Sequence, residues 1–127
     1  MCKSQNDFGR RAEDFVAEAL AQKGWRIVAR NFRHIGCELD IVAERSETLA
    51  IVEVKHRHSP RHADPALLLP LRKRRALAHG ARSFLARHPT PPYRNVRFDL
   101  VLVATDPGNK KPRLIAYWAG VFDESDL

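Results

Sequence analysis

Residues 36–57 read "GCELDIVAERSETLAIVEVKHR", two apolar runs on either side of a polar turn. Leu39, Ile41, Val42 and Ala43 on one side, and Leu49, Ala50, Ile51, Val52 and Val54 on the other, have the composition of a buried sheet. They predict two strands, 37–44 and 48–56, joined as an antiparallel hairpin through "RSET" (45–48). Yet Glu38, Asp40, Glu53 and Lys55 stand in the middle of those runs. Charged groups are rarely taken into a core without a partner, because desolvation is costly. Side chains alternate along a strand, so Glu38 and Asp40 share a face, and so do Glu53 and Lys55. If the hairpin register aligns those faces, three carboxylates and one ammonium meet in one patch. A one-residue slip would separate them.

Carboxylates held close raise one another's proton affinity unless a cation intervenes. Oxygen-rich clusters of this kind suit Mg²⁺ or Mn²⁺, which bind through one or two carboxylates together with water and substrate phosphate. A metal there can activate a water and offset the charge that develops on a phosphoryl group. Lys55 is placed to orient that water or the phosphate oxygens. The plainer alternative is an ion pair between Lys55 and Asp40 or Glu53 at the end of a sheet, with the other acids in solvent. Most such pairs contribute little.

Outward from the hairpin, the chain alternates between helical and extended patterns. Phe8, Ala12, Phe15, Val16, Ala19 and Leu20 make one stripe of an amphipathic helix, with Asn6 or Asp7 to cap its start and Gly24 after its end. "WRIVAR" (25–30) reads as a short strand. The chain is loop-like from Pro60 to Pro65, and a second helix begins near Pro70, where proline is tolerated. Leu77, Ala81, Phe84 and Leu85 form its buried stripe, and "HPTPP" (88–92) stops it. Residues 96–104 and 113–121 read as two further strands around "DPGNKKP" (106–112). The expected fold class is α/β, one domain over residues 1–127: a central mixed sheet of about five strands with two main helices, in the order α-β-β-β-α-β-β.

With 22 Lys and Arg against 15 Asp and Glu, the net charge is +7, which favours polyanionic partners and above all nucleic acid. Arg57, Arg61, Arg72, Lys73, Arg74 and Arg75 bracket the proposed site in sequence. They would hold a phosphate backbone, contributing affinity but no base specificity; alternatively they are a solvated helix face. His34, His56, His58 and His62 match no usual zinc spacing. Trp25, Phe32, Tyr93 and Trp118 could stack on bases, although in a domain of this size most aromatics fill the core. Asp99 would accept hydrogen bonds from Arg97 or a nearby turn. Cys2 and Cys37 are too few for a disulfide framework. The polar start "MCKSQNDFGRRAEDF" shows neither signal peptide nor membrane span, so a cytoplasmic protein without a membrane partner is expected.

Asp40 followed thirteen residues later by Glu53-Val54-Lys55 resembles the PD-(D/E)xK signature of restriction-endonuclease-like nucleases. Further motifs come in order: Gly9, Glu13, Ala17, Leu20 and Gly24; Asn31 and Arg33; Glu38 and Asp40; Val52 to Arg57; Lys73; Arg97 to Asp99. This series is similar to the YraN-like family of small uncharacterised proteins, itself similar to archaeal Holliday-junction resolvases. The resemblance implies a restriction-endonuclease-like fold and a Mg²⁺- or Mn²⁺-dependent nuclease acting on DNA, including branched or structured DNA. It places Glu13, Asp40, Glu53 and Lys55 at the catalytic positions, with Asp40, Glu53 and Glu13 on the metal. For Glu13 the resemblance alone decides: Glu13 and Glu18 lie about 110° to either side of the apolar stripe. Cys37 between Gly36 and Glu38, and a segment 58–70 without glycine, depart from the family pattern. Cutting two strands would need two active sites, hence a homodimer, and the small surface left for substrate recognition favours dependence on a partner protein or a dimer. The contrary expectation is a non-catalytic nucleic-acid-binding module of the same fold.

Overall fold

The computed structural model describes residues 7–58, 64–88 and 93–127. Helix α1 spans Asp7–Gln22, and strands β1, β2 and β3 span Arg26–His34, Cys37–Arg45 and Thr48–His56. A single-turn helix α2, Pro65–Leu68, precedes helix α3, Leu71–Arg87. Strands β4 and β5 cover Asn95–Thr105 and Pro112–Phe122. The five strands form one sheet in the order β1-β2-β3-β4-β5. All neighbours are antiparallel except β3 and β4, which run parallel. A parallel pair needs a crossover, and α3 is that crossover. This mixed α/β architecture with two main helices is the expected one and is compatible with a restriction-endonuclease-like fold.

The helices cover opposite faces of the sheet. Ala12, Val16, Ala17 and Leu20 of α1 pack with Ile41, Ala43, Ala50, Val52, Val54, Val101 and Val103. Leu77, Ala78, Ala81 and Phe84 of α3 pack with Leu39, Val42, Leu49, Ile51, Phe98 and Leu100. Strands sandwiched in this way are apolar on both faces, which is why residues 39–54 read as near-continuous hydrophobic runs. After α1 the amides of Gly24 and Trp25 donate to the Ala21 and Leu20 carbonyls, and Gly24 takes a φ of +91°. That is a Schellman end, which requires the left-handed residue that glycine supplies. Pro70 stands immediately before α3 with extended backbone.

Three local features differ from expectation or refine it. Strand β1 runs on to His34, because β2 offers it partners: Phe32 faces Leu39, Arg33 faces Glu38 and His34 faces Cys37. Asn31 interrupts it at a φ of 54°, a conformation asparagine tolerates better than most residues. Helix α2 falls between the expected loop, 60–65, and the helix expected near Pro70; it starts at Pro65, with the Asp64 side chain accepting from the Ala66 amide at 2.9 Å. The β2–β3 turn falls at "RSET" as expected, with Ser46 and Glu47 both at positive φ, as a two-residue hairpin loop needs. Asn6, Cys2, Arg61 and His62 lie outside the described residues. Among the described residues, no helix is long and apolar enough to cross a membrane.

Candidate functional site

The β2–β3 ladder runs regularly from Arg45 opposite Thr48 to Ile41 opposite Val52. Leu39 and Val42, three residues apart, both pack on the α3 side, whereas Ile41 packs on the α1 side. The alternation of β2 therefore slips around Asp40. Beyond Ile41 a carboxylate replaces the backbone acceptor: Asp40 Oδ2 accepts from the Val54 amide at 2.9 Å. That bond ties Asp40 to the residue between Glu53 and Lys55. Asp40 and Glu53 are both fully buried, at 0% exposure. Simple period-two reasoning cannot produce this arrangement, because the slip decides where Asp40 sits.

Glu53 lies beneath two ammonium groups. Its Oε2 is 3.2 Å from Lys55 Nζ and 3.5 Å from Lys73 Nζ. Both lysine side chains keep a fraction of their surface in solvent, 18% and 24%, over a carboxylate that has none. In the sequence Lys73 reads as a contact to the phosphate backbone; in the fold α3, packed beside β2, holds it against Glu53. Glu38, also buried, faces Arg33 across β1–β2, with Arg33 Nε 3.5 Å from its Oε1. Glu13 on α1 is 2% exposed, while Glu18 is exposed. Of the two acids flanking the apolar stripe, Glu13 is the one that the sheet covers.

The remaining candidates separate by what they touch. Arg72 is exposed, whereas Arg74 donates through Nε to the Leu69 carbonyl at 2.7 Å and so braces the start of α3. Arg57 donates to the His56 carbonyl. His34 lies against His79 and shares a hydrogen bond with Arg87, whereas His56 and His58 pack on each other and on Phe8. These histidines therefore form no common site. Burial, then the charges of His58 and Arg57, holds the His56 imidazole below its ordinary range. Trp25 is buried under the Arg45 and Arg97 guanidiniums, whose Cζ atoms stand 4.5 and 5.2 Å from its ring centre. Phe32 meets Phe84 edge to face, and Trp118 packs on the α3-side core.

Asp99 is a structural hub. Its carboxylate takes two bonds from Arg97 at 2.9 Å, one from Tyr117 Oη at 2.5 Å and one from the Gly120 amide at 2.9 Å. The bonds to Asp99 raise the Arg97 pKa, while burial followed by the Asp99 contact raises that of Tyr117. A cleft of about 190 Å³ nearby is lined by Phe15, Leu20, Trp25, Arg45, Arg97 and Tyr117. It opens at the opposite end of the sheet from Asp40 and Glu53, and none of the predicted acids lines it.

The donor set at Asp40 and Glu53 suits one kind of metal better than others. Among the described residues, no group of three or more His, Cys, Asp or Glu is arranged to hold an ion by protein atoms alone. Zinc and calcium normally require such a cage. Mg²⁺ and Mn²⁺ need only one or two carboxylates, the rest of the shell being water and substrate phosphate. Asp40 and Glu53, the latter beside two lysines, offer at most the one or two carboxylates of that second pattern.

The model of the uncharacterised protein family UPF0102 matches residues 12–103, a span containing Glu13, Asp40, Glu53, Lys55 and Lys73. A UPF0102 protein of Treponema pallidum (strain Nichols) is 30% identical over 124 residues, covering 98% of both chains. One from Nitratidesulfovibrio vulgaris (strain DP4) is 41% identical over 103 residues, covering 81% of this chain and 76% of its own. The match takes in most of α1, β2, β3 and most of β4, and with them the buried acids Glu13, Asp40 and Glu53.

Proposed function

This chain belongs to the uncharacterised protein family UPF0102, and we propose that it is a metal-dependent nuclease hydrolysing phosphodiesters in DNA, branched or structured DNA included. One observation carries the reading: a fully buried Glu53 beneath Lys55 and Lys73, on the strand whose next amide is held by a fully buried Asp40. A purely structural sheet gains nothing from sealing two carboxylates at 0% exposure, because replacing buried ion pairs by apolar residues is often neutral or stabilising. Asp40 and Glu53 would hold Mg²⁺ or Mn²⁺, with Glu13 assisting. When bound, the metal supplies an activated water and offsets charge on the phosphate. Lys55 orients the water or a phosphate oxygen through Nζ. Lys73, on a separate element, offers a second ammonium to the same phosphate, and Arg57 and Arg72 contact neighbouring phosphates. Arg61 belongs to the same phosphate-binding set by sequence.

The competing reading is a nucleic-acid-binding module without turnover. In that case Lys55 and Lys73 are permanent counter-ions of Glu53, as their 3.2 and 3.5 Å contacts allow. Metal-dependent stability separates the two. A metal at a hundred times its Kd stabilises the fold by about 2.7 kcal/mol. We expect Mg²⁺ or Mn²⁺ to raise the unfolding midpoint of the parent and not of Glu53→Ala. Cleavage of a labelled panel (duplex, single strand, flap, four-way junction) should require metal, stop with EDTA and disappear in Glu53→Ala and Lys55→Ala. Nucleic-acid binding with neither metal stabilisation nor cutting would establish the module instead.

A further inference from the structure

Strand β3 delivers its last residues alternately to the two faces of the sheet. Val52 and Val54 pack under α1, and His56, next in that series, meets Phe8 in the first turn of α1 with ring centres 5.7 Å apart and planes 6° from parallel. His58 closes the group edge-on, 5.4 Å from Phe8 and 5.0 Å from His56. The three rings contact one another pairwise. Phe8 and His56 are half-buried and His58 is exposed, so the group opens to solvent at the end of β3 that carries Glu53 and Lys55.

This cluster is fixed in place. His56 Nε2 lies 2.6 Å from Thr105 Oγ1 at the end of β4, which sets the ring's orientation and commits that nitrogen. A metal role does not fit, since no third donor joins the two imidazoles among the described residues. Nor is His56 a natural phosphate contact: its burial disfavours the imidazolium, and Arg57 beside it is the better cation. What the group presents is aromatic face and edge next to an exposed arginine, the chemistry on which unpaired bases stack.

We propose that Phe8, His56 and His58 form a stacking platform for an unpaired nucleobase, so that the substrate carries a single-stranded segment that passes the end of β3 from the Glu53 face to the α1 face. This rests on the nucleic-acid reading of that site and narrows its substrate class. His56 stands three residues beyond Glu53, about 10 Å at about 3.3 Å per residue. In a duplex the corresponding base is already stacked and paired, so occupying the platform requires extruding it. A flap, gap or junction arm offers it directly.

The test is fluorescence anisotropy in EDTA at fixed ionic strength, with a labelled single strand and the duplex of the same sequence. The parent should bind the single strand more tightly. His58→Ala should weaken single-strand binding about five-fold or more, the low end of one base stack, and leave duplex binding unchanged. His58→Tyr should restore it. One abasic nucleotide, moved along the strand, should reproduce the loss at one position in the parent and cost nothing further in His58→Ala. Equal losses on both nucleic acids, additive losses, or no single-strand preference in the parent would overturn the platform. The binding assay runs without metal, whereas the nuclease reading is tested by metal-dependent stabilisation and cleavage in the parent, so failure of the nuclease reading and failure of the platform are separately visible.

Discussion

Tyr93 illustrates how one hydrogen bond couples two titrations. Its Oη donates to Glu44 Oε2 at 2.5 Å, tying the chain that enters β4 to the end of β2. Burial first, and then the bond to Glu44, pushes the Tyr93 hydroxyl up to about 12. The same bond, with Arg26 assisting, holds the Glu44 carboxyl below 4.5. Because the folded tyrosine titrates above its unfolded value of about 10, its contribution is complete below that pH and is lost as pH rises toward 12. The Glu44 contribution has the opposite sense: present above pH 4.5 and lost as pH falls below it. Tyr93→Phe should therefore cost about 1 kcal/mol on the neutral plateau and flatten both limbs of a plot of urea midpoint against pH. A variant with the parent's limbs would show that the bond carries no such linkage. At the same scale, only Glu13 of the two equivalent acids on α1 is buried, a result decided by which flank of the apolar stripe the sheet covers.

Helix α3 owes its place to a residue without a side chain. A Cβ on Gly80 would meet Cys37 Sγ at 2.5 Å and Leu39 Cδ2 at 2.9 Å. The helix lies that close to β2, and the same approach brings Lys73, two turns earlier, against Glu53. Ala is about 1 kcal/mol better than Gly in a helix interior, yet overpacking a core costs about 1–3 kcal/mol. Gly80→Ala should therefore be net destabilising in chemical denaturation. Adding Cys37→Ala should recover part of the loss, since it removes the atom nearest the new methyl. A stabilised Gly80→Ala would mean that the helix can retreat from β2 without cost. Cys37 is buried and contributes to the surface that requires Gly80.

At the scale of the whole molecule, a net charge of +7 and exposed Arg57 and Arg72 near the candidate site predict association governed by counterion release. For duplex DNA the logarithm of affinity falls with the logarithm of salt by about 0.9 per phosphate neutralised. Arg72→Gln should weaken binding on all sequences alike and reduce that slope by about 1. Arg74→Gln should leave the slope near the parent's, because that side chain braces the Leu69 carbonyl. Equal slope changes in both would show that Arg74 also reaches phosphate.

The elements were legible because each depends on a local pattern. The hairpin followed from two apolar runs around "RSET", the helices from their stripes, and the mixed sheet from the order of segments. Asp40, Glu53 and Lys55 were legible as anomalies, charges where desolvation should forbid them. What the chain could not show locally was set by contacts between distant segments. The extension of β1 depends on pairing with β2, the slip of β2 around Asp40 on the two faces it must serve, and the burial of Glu13 on how α1 seats. Lys73 reads as one member of "RKRR", and only the approach of α3 over β2 makes it a partner of Glu53. Composition and periodicity act over a few residues, so they determined which segments are helix or strand and which charges are out of place. Desolvation and pairing act across the folded chain, so the tertiary structure alone decided which of those charges meet.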